Sequence, residues 1–211
     1  QLVARGQAVN LWEVDGIMNL NYQKRDGTQM APSLVLVDSG DQTDMVYDFC
    51  VDTAEYTLPS KGASKKLETD YKISTINKAG SRATGHPLVM VDTSKYKDRI
   101  AARMARKNGN GAWMVFRGID DEYAAQVTAE HKINERQANG KIVQKWVPKG
   151  SHKDNHYLDA EVYAMAAADI RGARTWHLDK YEPSEAPKKS RSGSEAKEEQ
   201  WIRENELEGW I

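Results

Sequence analysis

Two aspartates stand where a folded chain could bring carboxylates together. Asp38 ends the apolar run LVLV, which is typical of a buried strand. Asp159 lies far downstream in NHYLDAEVYAMAAADIRG, where helical spacing places it beside Val162, Tyr163 and Ala166. A carboxylate on an apolar face needs a partner. Two acids at the ends of a strand and a helix therefore suggest a metal site.

Basic side chains are concentrated in one segment, which carries six of them and one acid between Lys95 and Lys107. At helical spacing, three arginines share a face that could follow a phosphate backbone, although a solvated surface explains the pattern equally well. Lys61 precedes Gly62 and could approach a phosphate at a strand end, but a turn explains it too. The candidate DNA contacts are Lys61, Lys95, Lys97, Arg99, Arg103 and Arg106.

Composition limits the classes of protein that fit. The chain has 211 residues, a net charge of -1 and a single cysteine, Cys50, which we expect to be a buried small hydrophobe. No apolar run approaches the roughly 20 residues of a membrane helix, so we expect a soluble intracellular protein. Neither a phosphate loop of the GxxxxGK[ST] type nor a CxxC or HExxH motif occurs, which argues against an ATP-driven motor and a zinc site.

The elements that must position these residues alternate between strands and helices, which favours a mixed α/β fold. We expect Asp15-Gly16 to be a turn ending a strand or hairpin, and Thr93 to cap the basic helix. The predicted strands are 1–14, 34–37, 71–76, 88–91, 113–116 and 142–146, and the predicted helices are 43–50, 95–107, 120–130 and 155–170. Met45, Val46 and Phe49 are expected on the inner side of the first helix.

Composition changes after Trp176 and predicts three regions. Residues 1–177 form the folded domain, and residues 178–194 read as a flexible linker rich in proline, serine and lysine. For residues 195–211 the sequence predicts a short helix with exposed tryptophans. This segment could be a docking tail, or it could fold back on the domain.

Five segments in series resemble a known family. They are VDSGDQTDMVYDFC from Val37, the dipeptide Lys61-Gly62, VDTSKYKDRIAARM from Val91, YAAQVTAEH from Tyr123, and the run from Trp146 through NHYLDAEVYAMAA. Their order is similar to that in the nuclease domain of the large terminase subunit of lambda-like tailed phages. The resemblance covers most of residues 1–176.

This resemblance implies a ribonuclease H-like mixed β-sheet flanked by helices, in which Asp38 and Asp159 match metal ligands. It implies two Mg²⁺ or Mn²⁺ ions and hydrolysis of phosphodiester bonds in concatemeric double-stranded DNA during genome packaging. The implied partners are the portal protein and a small terminase subunit, with subunits in a ring on the portal. The implied location is the cytoplasm of the infected bacterial host.

The chain departs from the family pattern at the expected metal site. Relatives carry an earlier acid on a first strand, in a stretch like GVDVQ, and the resemblance implies that this sequence starts just after that stretch. Asp15 does not match that strand and is better interpreted as a turn residue. Asp41 stands where relatives commonly have histidine and could be an outer metal ligand, but an acidic first turn of a helix is the simpler explanation.

Three functions remain open from the sequence. The first is a metal-dependent terminase endonuclease. The second is the same fold acting as a DNA-binding or portal-docking fragment that is catalytically incomplete, and the third is a cellular ribonuclease H-like resolvase.

Overall fold

The computed structural model describes residues 2–20, 22–24, 26–107, 111–150 and 154–174. The predicted linker and tail helix lie outside the described residues, as does most of the loop 108–111. The elements run in the order α1 (Leu11–Met18), β1 (Tyr22–Gln23), β2 (Gln29–Met30), β3 (Val35–Asp38), α2 (Thr43–Asp52), β4 (Thr57–Gly62), β5 (Tyr71–Thr75), β6 (Pro87–Val91), α3 (Thr93–Met104), α4 (Asp121–Val127), β7 (Glu130–Arg136), β8 (Ile142–Pro148) and α5 (His156–Ile170).

The main sheet has four strands in the order β3-β4-β6-β5. Strands β3, β4 and β6 are parallel, whereas β5 lies antiparallel to β6 at the edge. Parallel strands end at the same edge of a sheet, so Asp38 at the end of β3 pairs with Ser60 near the end of β4. This shared edge carries Asp38 and, on β4, Lys61 and Gly62.

Helices cover both faces of the sheet. Leu36 packs against the cluster that β6, α3 and α5 form, whose members include Val89, Ile100 and Val162. Its neighbour Val37 packs against Val46, Phe49 and Cys50 of α2. Successive strand residues point to opposite faces, so the predicted mixed α/β fold with flanking helices is confirmed.

The N-terminal strand prediction is wrong. Residues 2–8 form no regular element, and α1 follows, with Asn10 as N-cap accepting a hydrogen bond from the Glu13 amide at 3.0 Å. The Glu13 carboxylate in turn accepts from the Val9 amide at 2.6 Å, so reciprocal capping stabilises a helix over the weak alternation of apolar residues. Asp15 is therefore helical, and it accepts a hydrogen bond from the Tyr56 hydroxyl.

Two further elements differ from the sequence prediction. Residues 113–116 form no strand, and their backbone makes isolated bonds, such as the one from Leu2 to Met114 at 2.9 Å. The predicted helix ending at Glu130 stops at Val127, and Glu130 begins β7, which pairs antiparallel with β8 to form a hairpin.

Smaller corrections concern caps and faces. Helix α3 starts at Thr93 and its N-cap is Asp92, not Thr93, because the Asp92 side chain accepts from the Lys95 amide. Met45 is 48% exposed rather than internal, while Val46 and Phe49 are buried as expected. No helix within the described ranges is both long and apolar enough to cross a membrane.

Candidate active site

Asp38 projects from the end of β3 into solvent, yet its carboxylate is oriented by neighbours. One oxygen accepts a hydrogen bond from the Gly40 amide at 2.9 Å, and Tyr163 of α5 lines the same groove, close enough for the charge of Asp38 to act on its hydroxyl. Burial, followed by the negative charge of Asp38, raises the pKa of Tyr163. Tyr163 therefore stays neutral beside Asp38 and keeps its hydroxyl proton as a potential donor.

Asp159 lies in the first turn of α5, with 39% of its side chain exposed. Burial is the main cause that raises its pKa, and the charges of Glu130 and Asp38 add to the effect. Lys97 opposes that shift with an ammonium 3.2 Å from one carboxylate oxygen. The structure thus brings Asp38 and Asp159, here called the acid pair, close enough to influence each other electrostatically.

A nearly buried cation lies next to the acid pair. Lys97 is 10% exposed and binds Glu130, which is 7% exposed, at 2.7 Å. The same Glu130 oxygen accepts from the Asn155 side chain at 2.7 Å, so Asn155 precedes α5 without capping it through its side chain. Two carboxylates therefore share one lysine, which fixes where Asp159 lies.

Sequence reasoning missed Glu130. It is separated from both aspartates by long stretches of chain, and the helical pattern before it extended through its position. In the sequence, Glu130 is marked only by its position between a helix and a strand, and that position does not reveal that its carboxylate is buried.

The acid pair opens onto a groove of about 520 Å³. Its walls are apolar side chains of α1 and β3, and its polar members are Asp38, Asp159, His156 and Tyr163. The His156 side chain is 80% exposed. An extended ligand could therefore enter from solvent and reach both carboxylates.

The third predicted metal ligand, Asp41, lies outside the helix and strand that carry the acid pair. Asp41 is exposed in the turn that precedes α2. Within the part of the chain that the structure describes, no three histidine, cysteine or acidic side chains are grouped so that they could hold a metal ion. The role of Asp41 stays a prediction.

The predicted DNA contacts on α3 are largely engaged in internal bonds. Lys95 donates to the carbonyls of residues 67–69 at 2.8–2.9 Å, and Arg99 binds Asp70 at 2.5 Å and Asp169 at 3.1 Å. Arg103 and Arg106 are exposed. The stripe of three arginines therefore includes one whose charge is already paired.

Lys61 also has neighbours within the protein. Its ammonium lies 5.7 Å from the centre of the Tyr47 ring and 3.5 Å from the Thr43 hydroxyl. It remains half-buried at the sheet edge that carries Asp38.

A family model identifies the class of protein to which this geometry belongs. The model for the endonuclease domain of the terminase large subunit gpA matches residues 4–179. The chain belongs to this terminase endonuclease family. Comparison with curated proteins and with solved structures found no match. Membership makes DNA the class of substrate and genome packaging the setting of the terminase domain.

Proposed function

We propose that this terminase domain is a metal-dependent endonuclease that hydrolyses phosphodiester bonds of concatemeric double-stranded DNA, with Asp38 and Asp159 as metal ligands. The observation that carries the proposal is the meeting of these two carboxylates, from a strand end and a helix, in an open groove. The charge of Asp38 contributes to the raised pKa of Asp159, as expected for acids that face a common site.

The acid pair fits a hard divalent cation. Mg²⁺ binds proteins through one or two carboxylates, retains several waters and takes further oxygens from substrate phosphates. The hydrogen bond from Gly40 to Asp38 and the ion pair of Lys97 with Asp159 leave acceptor capacity on carboxylates that offer about four lone pairs each. A bound ion would supply charge stabilisation at the phosphate and an activated water.

A second ion, as two-metal nucleases use, requires oxygen donors beyond this pair. Phosphate oxygens of the DNA and water have the right chemistry for that role. We include two Mg²⁺ or Mn²⁺ ions in the proposal on that basis, with Asp41 as a possible outer ligand.

The surrounding side chains position the acid pair. Lys97 holds Asp159 towards α3, and the Gly40 amide orients the carboxylate of Asp38. The ammonium of Lys97 also offsets part of the negative charge that would otherwise oppose the approach of a phosphate. Glu130 and Asn155 in turn fix Lys97 and limit its movement.

The wider assignment rests on the family and the sheet. Three parallel strands with an antiparallel edge strand and helices on both faces are compatible with a ribonuclease H-like fold. We further propose the portal protein and a small terminase subunit as partners, assembly as a ring on the portal, and action in the host cytoplasm.

The test is nicking of supercoiled plasmid with Mg²⁺ or Mn²⁺. Asp38→Ala and Asp159→Ala are each expected to reduce the rate by at least about 100-fold, because an ion held by a single carboxylate loses both affinity and position. Asp121→Ala, an exposed acid in the first turn of α4, is the matched control and should cut normally. Asp41→Ala decides whether that residue contributes.

Metal binding can be measured separately by melting. An ion that binds only the folded state raises the melting temperature by mass action. Mn²⁺ should therefore stabilise the wild type and Asp121→Ala, and should not stabilise Asp38→Ala. Equal stabilisation of all variants would contradict the metal site.

One observation favours a second function. No third ligand joins the acid pair within the described ranges, which is compatible with a DNA-binding or portal-docking module that does not cut. Absence of cleavage with every divalent metal tested, combined with retained DNA binding, would favour this alternative.

A further inference from the structure

A second groove, of about 550 Å³, lies between the loop after β4, the first turn of α3 and the β7–β8 hairpin. Its walls carry lysines from three parts of the chain that are far apart in sequence. We call it the lysine groove, and its lysines are Lys65, Lys66, Lys95, Lys132 and Lys141.

The acids in the lysine groove already have internal partners. Asp92 caps α3 and also accepts from the Leu67 amide at 3.1 Å. Asp98 accepts from Lys132 at 2.7 Å and from the Trp146 indole at 2.9 Å. These bonds hold the loop and the hairpin against α3, so the walls of the groove are braced.

Three lysines remain available. Lys65, Lys66 and Lys141 are exposed, and none forms an ion pair with another residue in the described ranges. Lys65 and Lys66 come from the loop and Lys141 from the hairpin, so the positive charge lies on both walls. A groove with positive walls concentrates anions.

The lysine groove adjoins the acid pair. The loop leaves β4 at Gly62, two residues after Ser60, which pairs with Asp38 in the main sheet. On α3, Lys97 binds Asp159 while the next residue, Asp98, binds the hairpin. The two sites therefore share the end of β4 and the first turns of α3.

We propose that the lysine groove binds the sugar-phosphate backbone of duplex DNA beside the bond that is cut. The inference rests on the proposed function and goes beyond it, because it assigns substrate binding to residues outside the basic stripe of α3. Lysine binds phosphate as a point charge and reads no base, so this contact should be independent of sequence.

The experiment measures equilibrium binding of a short fluorescent duplex at several salt concentrations, without divalent metal so that no cleavage occurs. The test variant is Lys65→Ala with Lys66→Ala and Lys141→Ala. The matched control is Lys24→Ala with Lys72→Ala and Lys78→Ala, which removes the same charge from lysines that do not line the groove.

Each lost phosphate contact lowers the slope of log K against log salt by about 0.9, so the test variant should lose about 2 to 3 units of slope. Its affinity at moderate salt should fall by about tenfold or more, while the control stays within about twofold. Melting curves establish that both variants are folded.

An unchanged slope in the test variant, an equal loss in the control, or wild-type protein that does not bind DNA would overturn the proposal. Polyglutamate that binds the groove as well as duplex does would assign it to an acidic protein partner instead. If the wild type cuts DNA and the test variant binds DNA normally, the proposal for the lysine groove is wrong and the proposed nuclease function stands. If the test variant loses DNA binding and the wild type never cuts, the proposed nuclease function is wrong and the DNA-binding role of the groove stands.

Discussion

Lys97 contacts the candidate site directly, through an ion pair with Asp159. It was predicted as a DNA contact, but its side chain is nearly buried and its ammonium binds Glu130 and Asp159. A lysine in such a position would bind DNA poorly. Its evident role is to keep two carboxylates together that would otherwise repel each other.

Replacing Lys97 with methionine should therefore destabilise the fold. Glu130 would remain buried without its cation, and breaking a buried pair costs about 3–5 kcal/mol. We expect the lower end of that range, because Asp159 is partly exposed and screened by water. Urea denaturation followed by circular dichroism measures the change in the free energy of unfolding.

Lys132→Met is the matched control, since its pair with Asp98 is more exposed and should be worth at most about 1 kcal/mol. A second variant, Lys97→Met with Glu130→Gln, should recover part of the loss by removing the stranded charge. Equal costs for Lys97→Met and Lys132→Met would show that the burial of Lys97 is unimportant.

Cys50 should be unreactive in the native protein. It is fully buried within α2, and burial raises the pKa of its thiol to about 11. The thiolate is the reactive form, so little of it exists at pH 8. Labelling with a disulfide reagent should be slow in buffer and complete within minutes in denaturant. Rapid labelling of folded protein would contradict the packing of α2.

At the scale of elements, Asp70 connects the start of β5 to two helices. It accepts from Arg99 of α3 at 2.5 Å and from Arg174, just after α5, at 3.2 Å. Arg99 and Arg174 both bind Asp169 as well, near the end of α5. These charges join three segments beside the main core.

Asp70→Asn should lower stability in a manner that depends on pH. The hydrogen bond from Arg99 is the main cause that lowers the pKa of Asp70 below its ordinary 3.8. A lowered pKa in the folded state stabilises the protein above 3.8, and this contribution is lost as pH falls through the folded value.

Above about pH 5 the variant should be less stable by about 1–2 kcal/mol, and the difference should shrink towards zero at about pH 2. Asp52→Asn, which affects the more exposed pair with Arg82, should cost less. Thermal melts between pH 2 and 7 provide the comparison, and a difference that is constant with pH would contradict the role of charge.

The elements that sequence predicted best are those with continuous apolar runs or strong helical spacing. Val35–Asp38, Pro87–Val91 and His156–Ile170 were each expected within one or two residues, because burial of their apolar side chains determines both type and position. The same spacing placed Asp38 and Asp159 at element ends, and the structure brings them together.

The sequence predicted helices and strands poorly where polar contacts determine the structure. The strand Glu130–Arg136 is mostly polar, and it exists because it pairs with β8 and is held by contacts of Lys132 and Trp146 with Asp98. Local propensity contains no information about such partners. The helix Leu11–Met18 was missed because reciprocal capping outweighed a weak strand pattern.

At the scale of the whole molecule, stability should be uneven. Strands β4 and β6 each lie between two neighbours, and Val89 and Val91 are fully buried. The β7–β8 hairpin forms a separate two-stranded sheet, and such sheets are marginal without other support.

Hydrogen exchange should therefore follow a clear order. We expect amides of β4 and β6 to exchange only on global unfolding, and amides of the hairpin to exchange earlier through local opening. Mass spectrometry of peptides from both regions measures this order. Hairpin amides that are protected as strongly as those of β6 would show that the contacts to Asp98 join it firmly to the main core.

Because Lys97 and Asp98 are adjacent on α3, this helix should tolerate insertions and deletions poorly. Each residue turns a helix by about 100°, so an insertion or deletion early in α3 would rotate both side chains away from Asp159 and from the hairpin at once. Residues 138–140, in the turn between β7 and β8, do not line the lysine groove and carry no such constraint. Length variants should therefore survive selection in the hairpin turn and be eliminated from the first two turns of α3.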